Sequence, residues 1–309
     1  MSKIAFIFPG QGSQYVGMGK EVFQNFPLAR QTFEEADDAL GHTLSKLCFD
    51  GPESELKLTF NTQPAILTVS AAILKVLFAE TGISPSCLAG HSLGEYTSLF
   101  AAGALPFPDG VRITRLRGKL MQEAVPVGEG SMAAIIGLPK GEVEKICAEA
   151  ASGQVVSPAN YNSPEQIVIS GHKEAVERAS TMALERGVRV VALPVSAPFH
   201  CSLMKPVAEK LGEELKKISF SEIKIPVISN AEADPYPSKE EIRRLLTTQV
   251  DHPVRWEESM NRLIQDGIET FIEVGPGRVL SGLMKRINRG VKTLNVEDVN
   301  GLKNLEKSC

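Results

Sequence analysis

Apolar and polar positions follow two rhythms along this chain. Lys3 to Phe8 is a β-rich apolar run ending in Pro9-Gly10-Gln11-Gly12, the pattern of a buried strand that feeds a tight loop. Helical spacing then dominates to about residue 81. A second short apolar run, Cys87 to Gly90, leads into His91-Ser92-Leu93-Gly94-Glu95 and an Ala-rich, helix-compatible stretch. That order is strand, sharp turn, helix. Further apolar runs at Ile225 to Ser229, Thr270 to Val274 and Thr293 to Val296 alternate with helical segments, which predicts a mainly parallel sheet covered by helices.

The middle of the chain changes rhythm. Met132 to Ile136 (strand), Gly141 to Ala151 (helix), Val155 to Asn160 and Gln166 to Ser170 (strands), Lys173 to Arg186 (helix) and Val188 to Leu193 (strand) spell β-α-β-β-α-β. This is the order of a ferredoxin-like unit. The predicted fold is therefore α/β: a larger parallel-sheet domain from residues 1–125 and 198–309, with a ferredoxin-like small domain, 126–197, inserted into it. The cleft between the two is the expected site.

Composition narrows the function classes. A 309-residue chain with 43% hydrophobic residues and 23% charge buries a real core. The net charge of -4 argues against nucleic-acid binding, which needs a basic domain or stripe. Five cysteines, at 48, 87, 147, 201 and 309, form no C-x-x-C pair, which argues against zinc or a disulfide framework and fits a reducing cytoplasm. No run of about 18 apolar residues predicts a membrane span.

Gly90-His91-Ser92-Leu93-Gly94 matches G-x-S-x-G, in which a serine on a strained strand-to-helix turn projects its hydroxyl while the glycines leave room for neighbouring backbone. Ser92 is the candidate nucleophile, and a serine needs a base. Of the five histidines, His42 lies in a polar loop, His91 stands beside the nucleophile on the strand, where successive side chains point in opposite directions, His172 sits in the turn that opens a surface helix and His252 precedes Pro253. His200 follows the last strand of the small domain, where the chain re-enters the large one, and is the best base. Asp251 and Glu273 are candidates for a carboxylate behind the histidine, and no spacing selects between them.

Gly10-Gln11-Gly12 fails the dinucleotide fingerprint, because Tyr15 stands where the third glycine belongs, and it fails the phosphate-loop pattern as well. It is either a simple tight turn or the source of a backbone N–H for an oxyanion hole, with Leu93 N–H as the other half. In the helix predicted over Asp109 to Ala124, Ile113, Arg117, Leu120, Met121 and Ala124 share one stripe, while Arg112, Arg115 and Lys119 lie on another. A buried Arg117 requires an anion, either a protein acid or the carboxylate of an acyl substrate.

Several ordered motifs now converge. Phe8-Pro9-Gly10-Gln11-Gly12-Ser13-Gln14, Gly90 to Glu95, Asn160-Tyr161-Asn162-Ser163-Pro164, His200 with its preceding Pro-Phe, Pro253-Val254-Arg255-Trp256 and Glu273-Val274-Gly275-Pro276-Gly277 resemble, over nearly the whole chain, the malonyl-CoA:acyl carrier protein transacylases of bacterial fatty-acid synthesis. The resemblance implies a hydrolase-like α/β core with a ferredoxin-like insertion, and it implies that Ser92 is acylated, His200 is its base, the Gln11 and Leu93 amides form the oxyanion hole and Arg117 holds the malonyl carboxylate. It also implies that the backbone carbonyl of Gln249, rather than a carboxylate, orients the histidine. Met121, Met132, Asn160, Asn162, Phe199 and His91 are implied on the substrate side, Phe199 as the ring that leaves little space for an α-methyl group. The implied partners are malonyl-CoA and acyl carrier protein, without a metal or redox cofactor, nucleic acid or membrane. A serine thioesterase built on the same elbow is the nearest rival, and Arg117 argues against its neutral acyl substrate.

Overall fold

A computed structural model describes residues 3–126, 128–195 and 197–306. Its strands are β1 (Lys3–Phe8), β2 (Cys87–Gly90), β3 (Gly130–Ile136), β4 (Val156–Ser163), β5 (Gln166–His172), β6 (Arg189–Ala192), β7 (Val227–Ile228), β8 (Ile268–Val274) and β9 (Lys292–Val296). They form a five-stranded sheet in the order β7-β2-β1-β8-β9 and a four-stranded sheet in the order β4-β5-β3-β6.

The first sheet is parallel throughout. Such a sheet is covered on both faces, so its central strand reads as an unbroken apolar run. In β1, Phe6 and Phe8 face one core cluster while Ala5 and Ile7 face another, as the two-residue strand period requires. Phe8 of β1 is paired with Gly90 of β2. The loops carrying Gln11 and Ser92 therefore leave the same edge of the sheet, at the carboxyl ends of its strands, where open α/β folds place their ligands.

The second sheet is antiparallel, with the inserted chain's second, third, first and fourth strands in that order. Alternation again divides its faces. Ala133, Ile135, Ile167 and Ile169 pack with the apolar residues of two helices, Val143, Ile146, Val176 and Ala179 among them. Met132, Ala134 and Val168 turn the other way and join the main core, which seats the small sheet on the large unit. We take residues 126–197 as the inserted unit; Val127 and Ser196, in its two connections, and Cys309 lie outside the described residues.

The helices that bear on the site are α1 (Thr59–Thr81), α2 (Gly94–Ala101), α3 (Phe107–Gln122), α4 (Ile242–Asp251), α5 (Trp256–Gln265) and α6 (Val279–Ile287). Among the described residues α1 is the one helix long and apolar enough to cross a membrane, and it is packed inside the fold with 83% of its apolar window buried. Pro64 supplies no N–H to the Phe60 carbonyl one turn earlier, and Arg115 Nη1 donates there from α3 at 3.4 Å.

Most predicted elements shift by one or two residues at their ends, and two differ in ways that bear on the site. The run Ile225 to Ser229 is a strand only at Val227–Ile228, because Pro226 has no N–H to pair and Ser229 N–H turns to the Asp234 carbonyl. The strand expected to end at Asn160 continues through Ser163 with two register shifts, so Asn160 and Asn162 are strand residues.

Candidate active site

The turn between β2 and α2 is built by close packing. A Cβ on Gly90 would lie 1.9 Å from the Gly94 backbone, and one on Gly94 would lie 2.1 Å from the Phe8 carbonyl oxygen. Both glycines of the motif are thus sterically required. Between them Ser92 is held at φ 50°, a left-handed conformation that costs energy in a non-glycine residue. Asn230 holds the turn from the β7 side: its Oδ1 accepts from Ser92 N–H at 2.7 Å and its Nδ2 donates to the Gly90 carbonyl at 2.7 Å.

His200, also left-handed at φ 58°, is 4% exposed and places Nε2 2.8 Å from Ser92 Oγ. Its Nδ1 lies 2.8 Å from the main-chain carbonyl of Gln249, at the C-terminal part of α4. A carbonyl only accepts, so Nδ1 carries the hydrogen and Nε2 is left as the acceptor for the serine proton. Burial, helped by the Arg117 charge, pushes His200 down to about 3. The ring is neutral at pH 7, as a base must be. Neither carboxylate candidate stands behind it: Asp251 pairs with His252, and Glu273 accepts from Leu280 N–H, Ser281 N–H and Ser281 Oγ at the start of α6. Among the described residues no acceptor engages the backbone N–H of Gln11 or Leu93.

Arg117 projects from α3 into the same site and is 1% exposed. Its Nη1 donates to Gln63 Oε1 at 2.8 Å, and Nη2 donates to Gln249 Oε1 at 2.8 Å and to Ser92 Oγ at 3.1 Å. Its Nε makes no hydrogen bond, and the Tyr96 ring lies 5.4 Å from the guanidinium carbon. No described carboxylate forms an ion pair with it, so the protein-acid alternative does not hold at contact distance. Burial lowers its pKa, opposed by Tyr96 and Glu95, but a guanidinium remains charged.

The remaining predicted residues divide into groups. Met121, 1% exposed, presents its sulfur 3.7 Å from Gln63 Nε2 and so orients the amide that accepts from Arg117. His91 belongs to the turn rather than to β2; its Nε2 is 2.8 Å from Asn162 Oδ1 on β4, and its ring lies 5.5 Å from Trp256. Burial lowers its pKa. Asn160 bridges to Val254 and is 6% exposed, so β4 is tied to the large unit beside the site. Phe199 is buried next to His200, and Met132 is buried on β3 facing the main core. The network also contains residues that sequence reasoning did not single out for a role: Gln63, Glu95, Asn230 and Tyr236. Glu95 directly follows the elbow motif, but the others are separated from Ser92 by distances in sequence that carry no pattern.

The family model of the acyl transferase domain matches residues 5–306. The malonyl CoA-acyl carrier protein transacylase of Bacillus subtilis strain 168 is 52% identical over 300 residues, covering 96% of this chain and 94% of that protein. The solved structure of the Coxiella burnetii malonyl CoA-acyl carrier protein transacylase superposes with TM-score 0.97 at 46% identity, covering 99% of this chain and 97% of that one. A malonyl-transacylase solved in complex with a type II polyketide acyl-carrier protein superposes with TM-score 0.97 at 46% identity, over 100% of both chains. An acyl transferase built on a serine elbow, and alike in sequence from end to end, the chain belongs to the malonyl CoA-acyl carrier protein transacylases of the acyl transferase family.

Proposed function

We propose that Ser92 carries a malonyl group between two thioesters, from coenzyme A to the phosphopantetheine thiol of acyl carrier protein, supplying fatty-acid synthesis. His200 Nε2 takes the proton from Ser92 Oγ as the oxygen attacks the malonyl thioester carbonyl. The Gln11 and Leu93 N–H groups receive the developing oxyanion. As the C–S bond breaks, the His200 proton passes to the sulfur of coenzyme A. In the second half the carrier thiol gives its proton to His200, attacks the acyl-serine, and Ser92 leaves with that proton. Every step moves an acyl group or a proton, so the cycle calls for no metal or redox group, and coenzyme A enters as a substrate.

One observation carries the choice of acyl group: a buried guanidinium 3.1 Å from the nucleophile, hydrogen-bonded only to neutral groups. A buried cation with no carboxylate in contact is costly, and a substrate carboxylate meets it with two parallel hydrogen bonds. Phe199 beside the base supports malonyl over α-methyl analogues, and Asn160, Asn162 and Met132 are assigned to the pantetheine path. The described cysteines at 48, 87, 147 and 201 are buried free thiols, which supports a cytoplasmic setting. Mass spectrometry after mixing with malonyl-CoA tests the assignment: a malonyl adduct is expected on Ser92 and absent in Ser92→Ala. Labelling of the variant to the same extent contradicts it.

A further inference from the structure

Glu95 is fully buried, and every hydrogen bond it makes is accounted for within the site. Its Oε1 accepts from the Tyr236 hydroxyl, and its Oε2 accepts from Asn230 N–H at 3.1 Å and from Gln249 Nε2 at 2.7 Å. The other end of that amide, Gln249 Oε1, accepts from Arg117 Nη2 at 2.8 Å. A single side-chain amide thus separates this acid from the guanidinium. We propose that Glu95 is a positioning residue that sets the preference for malonyl: it is the resident counter-charge of Arg117, acting through Gln249, and it takes up a proton when a substrate carboxylate assumes that role.

The inference rests on Arg117 receiving the malonyl carboxylate. Without substrate, Glu95 balances the cation across Gln249 to the extent that it is ionised. A malonyl group brings a second anion to the same guanidinium in a dry site, where two carboxylates sharing one cation cannot both stay ionised easily. The substrate carboxylate touches the guanidinium directly and Glu95 does not, so Glu95 is the group that is neutralised. Burial already pushes it up to about 7, against the lowering effect of its Tyr236, Gln249 and Asn230 donors and of Arg117, the one charged group acting on it through space. The other titratable groups nearby are poised to stay neutral: burial lowers His200 and His91 and raises Tyr96 and Tyr236. Protonation leaves the network intact, because a protonated Oε1 donates to the Tyr236 oxygen while Oε2 keeps both of its donors. The proton comes from solvent. An acetyl group has no carboxylate and calls for no such uptake.

Calorimetric titration of Ser92→Ala, which binds without being acylated, reads this directly when run at pH 7 in phosphate and in Tris. With the acid near half-ionised at that pH, about half a proton is expected to be taken up per malonyl-CoA bound and none with acetyl-CoA. Adding Glu95→Gln removes the uptake and keeps or strengthens malonyl-CoA binding, since the amide oxygen still accepts from Asn230 and Gln249. Undiminished uptake in the Glu95→Gln protein overturns the proposal and assigns the proton to another group. Adding Tyr236→Phe instead, an independent check if Glu95→Gln fails to fold, removes a donor that favours the ionised acid and moves the pH of maximal uptake upward; an unmoved maximum also overturns it. Tighter binding of malonyl-CoA than acetyl-CoA with equal proton uptake defeats the Glu95 role alone. Equal affinities for the two defeat the Arg117 reading, and this inference with it.

Discussion

Gln249 serves His200 with its main chain and Arg117 with its side chain: the carbonyl lies 2.8 Å from His200 Nδ1, and the amide oxygen lies 2.8 Å from Arg117 Nη2. One residue of α4 therefore registers the base and the charge-bearing subsite against each other. The amide nitrogen completes the arrangement by donating to the Ser92 carbonyl at 2.8 Å.

This division of labour separates two effects of substitution. Gln249→Ala keeps the carbonyl, and with it the histidine tautomer, but removes hydrogen bonds to two charged groups. At roughly 1.5 to 3 kcal/mol for one such bond, kcat/KM for malonyl-CoA is expected to fall about tenfold to a hundredfold. The pH at which the acyl-enzyme forms fastest with acetyl-CoA is expected to stay where it is. Stopped-flow acylation across pH measures both; a displaced acetyl profile shows that the side chain, not the carbonyl, governs the base.

His200 also has a signature in stability. Its pKa is about 3 in the fold against an ordinary value of 6.5, so between those limits the unfolded chain binds the proton and the folded chain refuses it. Stability contributed by this residue is present above 6.5 and is lost as the pH falls toward 3. Glu95 acts in the opposite sense, because its raised value lets the folded state hold a proton between 4.5 and 7 and stability falls as the pH rises through that range. The two overlap in mildly acidic solution. Denaturant unfolding of the wild type and His200→Gln from pH 4 to 7 isolates the first: the difference in stability between them is expected to change by a few kcal/mol in favour of the variant as the pH falls. A difference independent of pH contradicts a buried neutral ring.

We propose that carrier protein docks at the basic cluster of Lys285, Arg286, Arg289 and Lys292, which are exposed on and after α6. Arg286 reaches Gln166 of β5 at 3.4 Å, so the cluster stands where the small sheet meets the large unit. An acidic partner is steered by such a patch in a salt-dependent way. The double charge reversal Lys285→Glu and Arg286→Glu is expected to raise KM for acyl carrier protein about threefold to tenfold and flatten its salt dependence, leaving KM for malonyl-CoA unchanged. Unchanged carrier kinetics over a range of salt removes the cluster from the interface.

Much of this arrangement was legible in the sequence because its physical requirements are local. The central strand must be apolar on both faces, so Lys3 to Phe8 announces itself; the elbow needs glycine at 90 and 94 for backbone clearance, and those residues mark Ser92. Arg117 was visible as a cation in an apolar stripe. The support for His200 was not legible from spacing, because it comes from a main-chain carbonyl, which every residue possesses. Asn230 and Tyr236 reach the elbow from 138 and 141 residues away along the chain, measured from Ser92 and Glu95, and no periodicity relates them. The apolar run around β7 is longer than the strand itself, because such a run does not reveal where its N–H groups go.

The most direct test of the account is the ratio of kcat/KM for malonyl-CoA to that for acetyl-CoA in wild type and Arg117→Ala. If the guanidinium pairs with the substrate carboxylate, its removal leaves that carboxylate unpaired in a dry cleft, at a cost of roughly 2 to 5 kcal/mol. Malonyl transfer is then expected to fall by about thirtyfold to several thousandfold, while acetyl transfer is unchanged or improved. Equal losses for both substrates, with the fold intact by circular dichroism, would show that Arg117 only holds the site together and contradict the assignment of malonyl as the group transferred.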